Sequence, residues 1–224
     1  MKESLGEAAA RYLEYTIKDG NIVGVSMGST LFEVVSHVVH PAAQKVTFVP
    51  LVGGVGRVRM ELHANSLAES LSRIYDGKFV PLHAPARVSS RNIRDELLKE
   101  DSLLPAIYLT QKLDIAVVGI GYPNEKSAIM ATGYFKENEI ESLIDRKVAG
   151  ELCMQFYDIY GDTAPYKDDN NVIGMDISML RSVPRSIGIA GGVEKLRAVR
   201  GAINGHYINT LITDIECAEA LISE

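Results

Sequence analysis

The residues from Ile22 to Leu31 combine the types needed to hold an anion with backbone alone. An apolar run, Ile22-Val23-Gly24-Val25, passes through Ser26-Met27-Gly28, and an apolar-periodic stretch follows with Ser29-Thr30 at its head. A strand that turns through glycine into a helix leaves the helix's first N–H groups without intrahelical acceptors. The positive end of the helix dipole lies at the same place, and two hydroxyls can add direct hydrogen bonds. Gly28, Ser29 and Thr30 therefore suit capture of a phosphate. The same three residues also suit an ordinary capped helix start.

Other residues could complete such a site. Gly53-Gly54-Val55-Gly56, Gly119-Ile120-Gly121 and Gly191-Gly192 each follow an apolar run, and glycine lets a backbone approach a ligand closely. Lys195 falls in the first turn of the helix after Gly191-Gly192, where a cation opposes the dipole but could hold an anion. A solvent-pointing lysine is the alternative. Glu151, behind Gly150, could accept hydrogen bonds from sugar hydroxyls or be a solvated strand end. His63 and Asn65 open the helix after the Gly53-Gly54 turn, Asn65 as ligand or as cap. Gly24-x-Ser26-x-Gly28 matches a hydrolase elbow, but no clear His and acid partners follow it. No spacing of His, Cys, Asp and Glu suits a metal, and no cofactor is expected.

The elements that must position these groups alternate. Helices are expected over residues 4–18, 29–39, 62–74, 90–111 (interrupted near Pro105), 176–181 and 193–203, and from Asp214 onward. Strands are expected over 22–26, 46–49, 79–82, 115–118, 151–158, 186–190 and 208–212. Residues 160–171 read as a polar, Asp-rich loop. Continuous apolar runs such as Ile115-Ala116-Val117-Val118 are the pattern of parallel strands buried on both faces. The fold class is thus α/β, a mostly parallel doubly wound sheet. Ligands in such sheets lie beyond the carboxyl ends of the strands, which would bring the four glycine turns to one edge.

Bulk properties narrow the function. The 224 residues fit one domain, with 122–180 a subdomain or lid. A net charge of -6 without any Lys/Arg cluster argues against direct binding to nucleic acid. No apolar run approaches the roughly 20 residues of a membrane span, and Met1-Lys2-Glu3-Ser4 opens an amphipathic segment rather than a signal peptide. Cys153 and Cys217 read as reduced core thiols, and the chain as cytoplasmic.

Taken in order, Val23-Gly24-Val25-Ser26-Met27-Gly28-Ser29-Thr30-Leu31, Val49-Pro50-Leu51-Val52-Gly53-Gly54, His63-Ala64-Asn65, Val148 to Asp158, Ile189 to Lys195 and Leu211-Ile212-Thr213-Asp214 resemble the effector-binding domain of the SorC/DeoR family of bacterial sugar-responsive transcriptional regulators. The resemblance covers essentially the whole chain. It implies a Rossmann-like fold akin to the phosphosugar isomerases and deaminases, a phosphorylated sugar as effector, and a homo-dimer or homo-tetramer. Gly28, Ser29, Thr30 and Lys195 would hold the phosphate, Gly53, Gly54, His63 and Asn65 would line the sugar, Glu151 would take hydroxyls, and Gly121 belongs to the third glycine loop.

Two departures from the family pattern matter. Branches that form a Schiff base carry Lys immediately before the Gly-Gly turn, and others carry Arg for a second phosphate. This chain has Val52, which can do neither. The family's N-terminal helix-turn-helix is also unmatched, so contact with DNA is expected only through a segment outside this sequence. The rival reading is a phosphosugar isomerase or deaminase. Its acid/base runs are missing, the third loop reading Gly119-Ile120-Gly121-Tyr122-Pro123-Asn124-Glu125. A sensor is expected instead, reporting occupancy through the Arg57–Glu61 loop and the 122–135 segment.

Overall fold

Two hydrophobic faces on each strand dictate a three-layer molecule. Val23, Val25, Ile115, Val117, Ile187 and Ile189 point to one side of a sheet, while Val49, Ala116 and Val118 enter the core on the other. Successive strand residues face opposite ways, so both sides must be covered. The computed structural model describes residues 1–56, 59–124 and 132–223. Arg57, Glu125 and residues 125–131 of the 122–135 segment lie outside the described residues.

Six parallel strands form the central sheet: β1 (Ile22–Val25), β2 (Thr47–Pro50), β3 (Lys78–Phe79), β4 (Ile115–Gly119), β7 (Arg185–Ile189) and β8 (Thr210–Ile212). Their spatial order is β3-β2-β1-β4-β7-β8. This is a doubly wound, Rossmann-like arrangement, and its strand order reverses between β1 and β4. Helices α1 (Lys2–Thr16), α2 (Ser29–His37) and α3 (Ala64–Ile74) bury Leu13, Val34 and Leu71 on one face. On the other face lie α4 (Arg91–Leu97), α5 (Leu104–Thr110), α6 (Glu137–Asp145) and α7 (Leu196–Asn204). A separate hairpin, β5 (Gly150–Leu152) and β6 (Gln155–Tyr157), joins them there, and α8 (Ile215–Ile222) closes the chain.

The local differences from expectation have physical causes. Residues 151–158 form a hairpin rather than one strand, because Cys153 and Met154 both take positive φ, 50° and 64°. Left-handed torsions at two successive residues are what a two-residue hairpin turn requires. The interruption expected near Pro105 is present, between α4 and α5. Pro105 itself lies in the first turn of α5, where its missing N–H costs nothing, so the break falls just before it. Residues 79–82 keep strand pairing only at Lys78–Phe79. The helices expected over 62–74 and 193–203 each begin as a 3-10 turn, Met60–Leu62 and Val193–Lys195.

Candidate functional site

The sheet's reversal point opens into a cavity of about 390 Å³. Gly28, Ser29 and Thr30 form one wall, Gly119, Ile120 and Gly121 the floor, and Glu151 and Lys195 the far side. Loops after β1 and β4, the hairpin and the turn before α7 therefore converge, as the topology demands.

Gly28 is the N-cap of α2 with φ 121°, a torsion that favours glycine. Its own N–H donates to the Leu62 carbonyl at 3.0 Å. No side chain caps α2. The N–H groups of its first turn thus face the cavity mouth without intrahelical acceptors. Ser26 is buried, and its Oγ accepts from the Gly119 N–H at 3.2 Å, tying the β1 and β4 loops together.

Glu151 and Gly121 are built around each other. Gly121 N–H donates to the Glu151 carbonyl at 3.1 Å, and Glu151 N–H to the Gly121 carbonyl at 2.8 Å. A Cβ at position 121 would overlap the Glu151 carboxylate. That carboxylate accepts the Met154 N–H at 2.9 Å. Burial pushes its pKa up to about 7, against the Met154 hydrogen bond and the Lys195 charge, which both lower it. Lys195 donates to the Ile120 carbonyl at 2.9 Å. Its ammonium is held below the usual lysine range, chiefly by burial, with Glu151 opposing that shift. A carboxyl poised near neutrality and a partly desolvated ammonium can together bind a polar, anionic ligand.

Four expected residues do not line this cavity. Gly53 N–H is spent on the Ile173 carbonyl (2.9 Å) and Gly54 N–H on the Ala84 carbonyl (2.8 Å), while the Gly54 carbonyl accepts from Tyr134 Oη. Asn65 is neither cap nor cavity residue. Its side chain grips the Leu82 backbone, donating to the carbonyl at 3.1 Å and accepting the N–H at 3.0 Å. His63 supplies the backbone N-cap of α3 without a side-chain cap bond. The Gly191-Gly192 turn contributes by placing Lys195, since Gly192 N–H donates to Asp214 at 2.6 Å.

Two charged residues not expected at the site line the cavity, Glu194 and Lys2. Lys2, in the first turn of α1, donates from Nζ to Ser29 Oγ at 2.9 Å. The feature that draws attention to Lys195, a cation in a first helical turn, is present at Lys2 as well. Its distance in sequence from every glycine loop hides the connection. Val52 is fully buried, consistent with its apolar character. Both cysteines are free and buried, and burial pushes the Cys153 thiol well up. Among the described residues, no His/Cys/Asp/Glu group could hold a metal, and no helix is long and apolar enough to cross a membrane.

A doubly wound α/β domain with a polar cavity at its topological switch point is the architecture of a small-ligand-binding domain. Comparison with known proteins gives it a family. Residues 1–223 match the model of the family described as "Putative sugar-binding domain", and the chain belongs to that family, the sugar-binding domains of SorC/DeoR-type transcriptional regulators. It is 28% identical over 222 residues to the deoxyribonucleoside regulator of Bacillus subtilis, covering 98% of this chain and 70% of that protein. It is 30% identical over 227 residues to the transcriptional regulator LsrR of an Enterobacter species, covering 100% of this chain and 68% of the relative. The full-length sorbitol operon regulator SorC of Klebsiella pneumoniae superposes with a TM-score of 0.90 at 29% identity, over 99% of this chain and 73% of that one. A transcriptional regulator from Streptococcus pneumoniae gives 0.91 at 26% identity, over 99% and 85%. These relatives are named as regulators of transcription, and the chain is a regulator's sugar-binding domain rather than an enzyme.

Proposed function

We propose that this domain senses a phosphorylated sugar and that occupancy changes how the complete regulator binds DNA. The observation that carries the reading is the convergence of α2's uncapped first turn with Lys195 across one cavity. The phosphate sits against the backbone of Gly28, Ser29 and Thr30, where amides and dipole favour an anion. Lys195 turns from the Ile120 carbonyl to complete the pairing. Glu151, half-protonated near pH 7, both donates to and accepts from sugar hydroxyls, and Gly121 holds it in place. The cavity volume falls in the range of small-molecule sites. Val52 leaves no amine for covalent capture and no second cation before the Gly53-Gly54 turn, so we assign a reversibly bound monophosphate. The whole chain acts as the effector-binding unit, in the cytoplasm, as a homo-dimer or homo-tetramer.

The test is a thermal-shift screen of pentose, hexose and ketose monophosphates beside the free sugars. A ligand at about 100 times its Kd adds roughly 2.7 kcal/mol. In a domain of this size that raises Tm by about 5–11 °C, at roughly 2–4 °C per kcal/mol. A phosphosugar that raises Tm and is recovered unchanged supports the reading. Equal shifts from free and phosphorylated sugars, or turnover to product, overturn it.

A further inference from the structure

Lys2 is the one cavity cation that the phosphate reading leaves without a task. Its ammonium reaches Ser29 Oγ at 2.9 Å, at the mouth of α2, and makes no ion pair with any described residue. A hydroxyl satisfies only one of its three N–H donors. Its charge is felt across the cavity, since Lys2 is among the causes that lower the Lys195 ammonium. Glu151 and Glu194 offset the two lysine charges in part, and an anion entering between Lys2 and Lys195 is attracted by both.

The helix that carries Lys2 touches both loops of the site. Leu5, one turn further on, packs against Gly191 in the turn that places Lys195. Gly6 lies against Glu33 of α2, the helix whose first turn faces the cavity. Movement of the first turn of α1 is therefore mechanically tied to both halves of the anion site.

We infer that Lys2 is a direct ligand of the bound phosphate, selecting a dianionic monoester over a neutral sugar, and that binding clamps the first turn of α1 onto the site. This rests on the phosphate reading above. The phosphate draws the Lys2 ammonium from Ser29 Oγ, and the hydroxyl proton, which Lys2 does not engage, is donated to a phosphate oxygen. The two cations then flank the phosphate, with the N–H groups of α2 behind it.

Inorganic phosphate is the probe, titrated calorimetrically into the full chain at low salt. Lys2→Met and Lys195→Met should each weaken phosphate at least tenfold, and Lys2→Arg should retain most of the affinity. Circular dichroism and Tm of the ligand-free Lys2→Met protein should stay close to the parent, because Lys2 is exposed and its hydrogen bond to Ser29 is a solvated one. In hydrogen exchange, phosphate should slow the amides of residues 3–8 in the parent and leave them unchanged in Lys2→Met. If Lys195→Met loses phosphate while Lys2→Met binds within twofold of the parent, the role of Lys2 is overturned and the phosphate site stands. If the parent binds no phosphate at millimolar concentration, both fail together.

Discussion

Glu151 shows how far one residue's surroundings reset its chemistry. Its carboxyl keeps its proton up to about pH 7 in the fold, against an ordinary value of 4.5. Between those values the folded protein binds more protons than the unfolded chain. Stability is therefore fully present below about pH 4.5 and is lost as pH rises toward 7, by at most about 1.4 kcal/mol per unit from this group. Glu151→Gln should flatten that fall, read as Tm between pH 5 and 8. An anionic ligand raises the carboxyl further, so its binding takes up a proton. Affinity for a sugar phosphate should then drop by up to about tenfold per pH unit above 7, and Glu151→Gln should remove most of the slope. Gly121→Ala tests the same arrangement sterically: the methyl displaces the carboxylate, and affinity should fall with only modest loss of Tm. Unchanged affinity in that variant would separate Glu151 from the ligand. That Glu151, Lys195 and Gly28-Ser29-Thr30 share one cavity follows from glycine turns at strand ends taken together with the order of the motifs, since each residue alone also has an ordinary structural reading. Lys2 was not legible in sequence, because its meaning depends on Ser29, which only the packing of α1 on α2 brings near.

Elements were readable where period and punctuation agreed. β1 and β4 are continuous apolar runs that lead into small residues, and β7 becomes one from Ile187 onward, so their identity follows from pattern. The β5–β6 hairpin escaped because its turn is Cys153-Met154. Neither residue favours positive φ, and no glycine or asparagine marks the corner. Tertiary packing enforces it, since both side chains are buried. The Gly53-Gly54 turn is a different case: its glycines signal close backbone approach, and the Ala84-Pro85 backbone comes that close to Gly53. Asn65 is the matching case among polar residues. Removing it by Asn65→Ala leaves the buried Leu82 N–H unpaired, while its carbonyl keeps the Ala84 N–H, a cost of about 1–3 kcal/mol. Tm should drop by several degrees with phosphate affinity intact. A loss of affinity at unchanged Tm would restore Asn65 to the ligand.

At the scale of the whole molecule, the reversal of strand order between β1 and β4 decides where the site lies, and alternation of strands and helices made that architecture predictable. Which loops face the cavity was not predictable, because four glycine turns at strand ends do not reveal which backbone N–H groups are already spent. The cavity draws on both extremities of the chain: Lys2 and Ser29 come from its first thirty residues, Lys195 from its last thirty. β7 inserts beside β4 only after more than half the chain intervenes between β1 and itself. A stretch of sequence that stops short of Lys195 therefore lacks the far side of the cavity. A fragment ending at residue 180 should show no phosphate-dependent protection from proteolysis, whereas residues 1–224 should. Any protection that a bound anion gives is then confined to polypeptides that carry both Lys2 and Lys195.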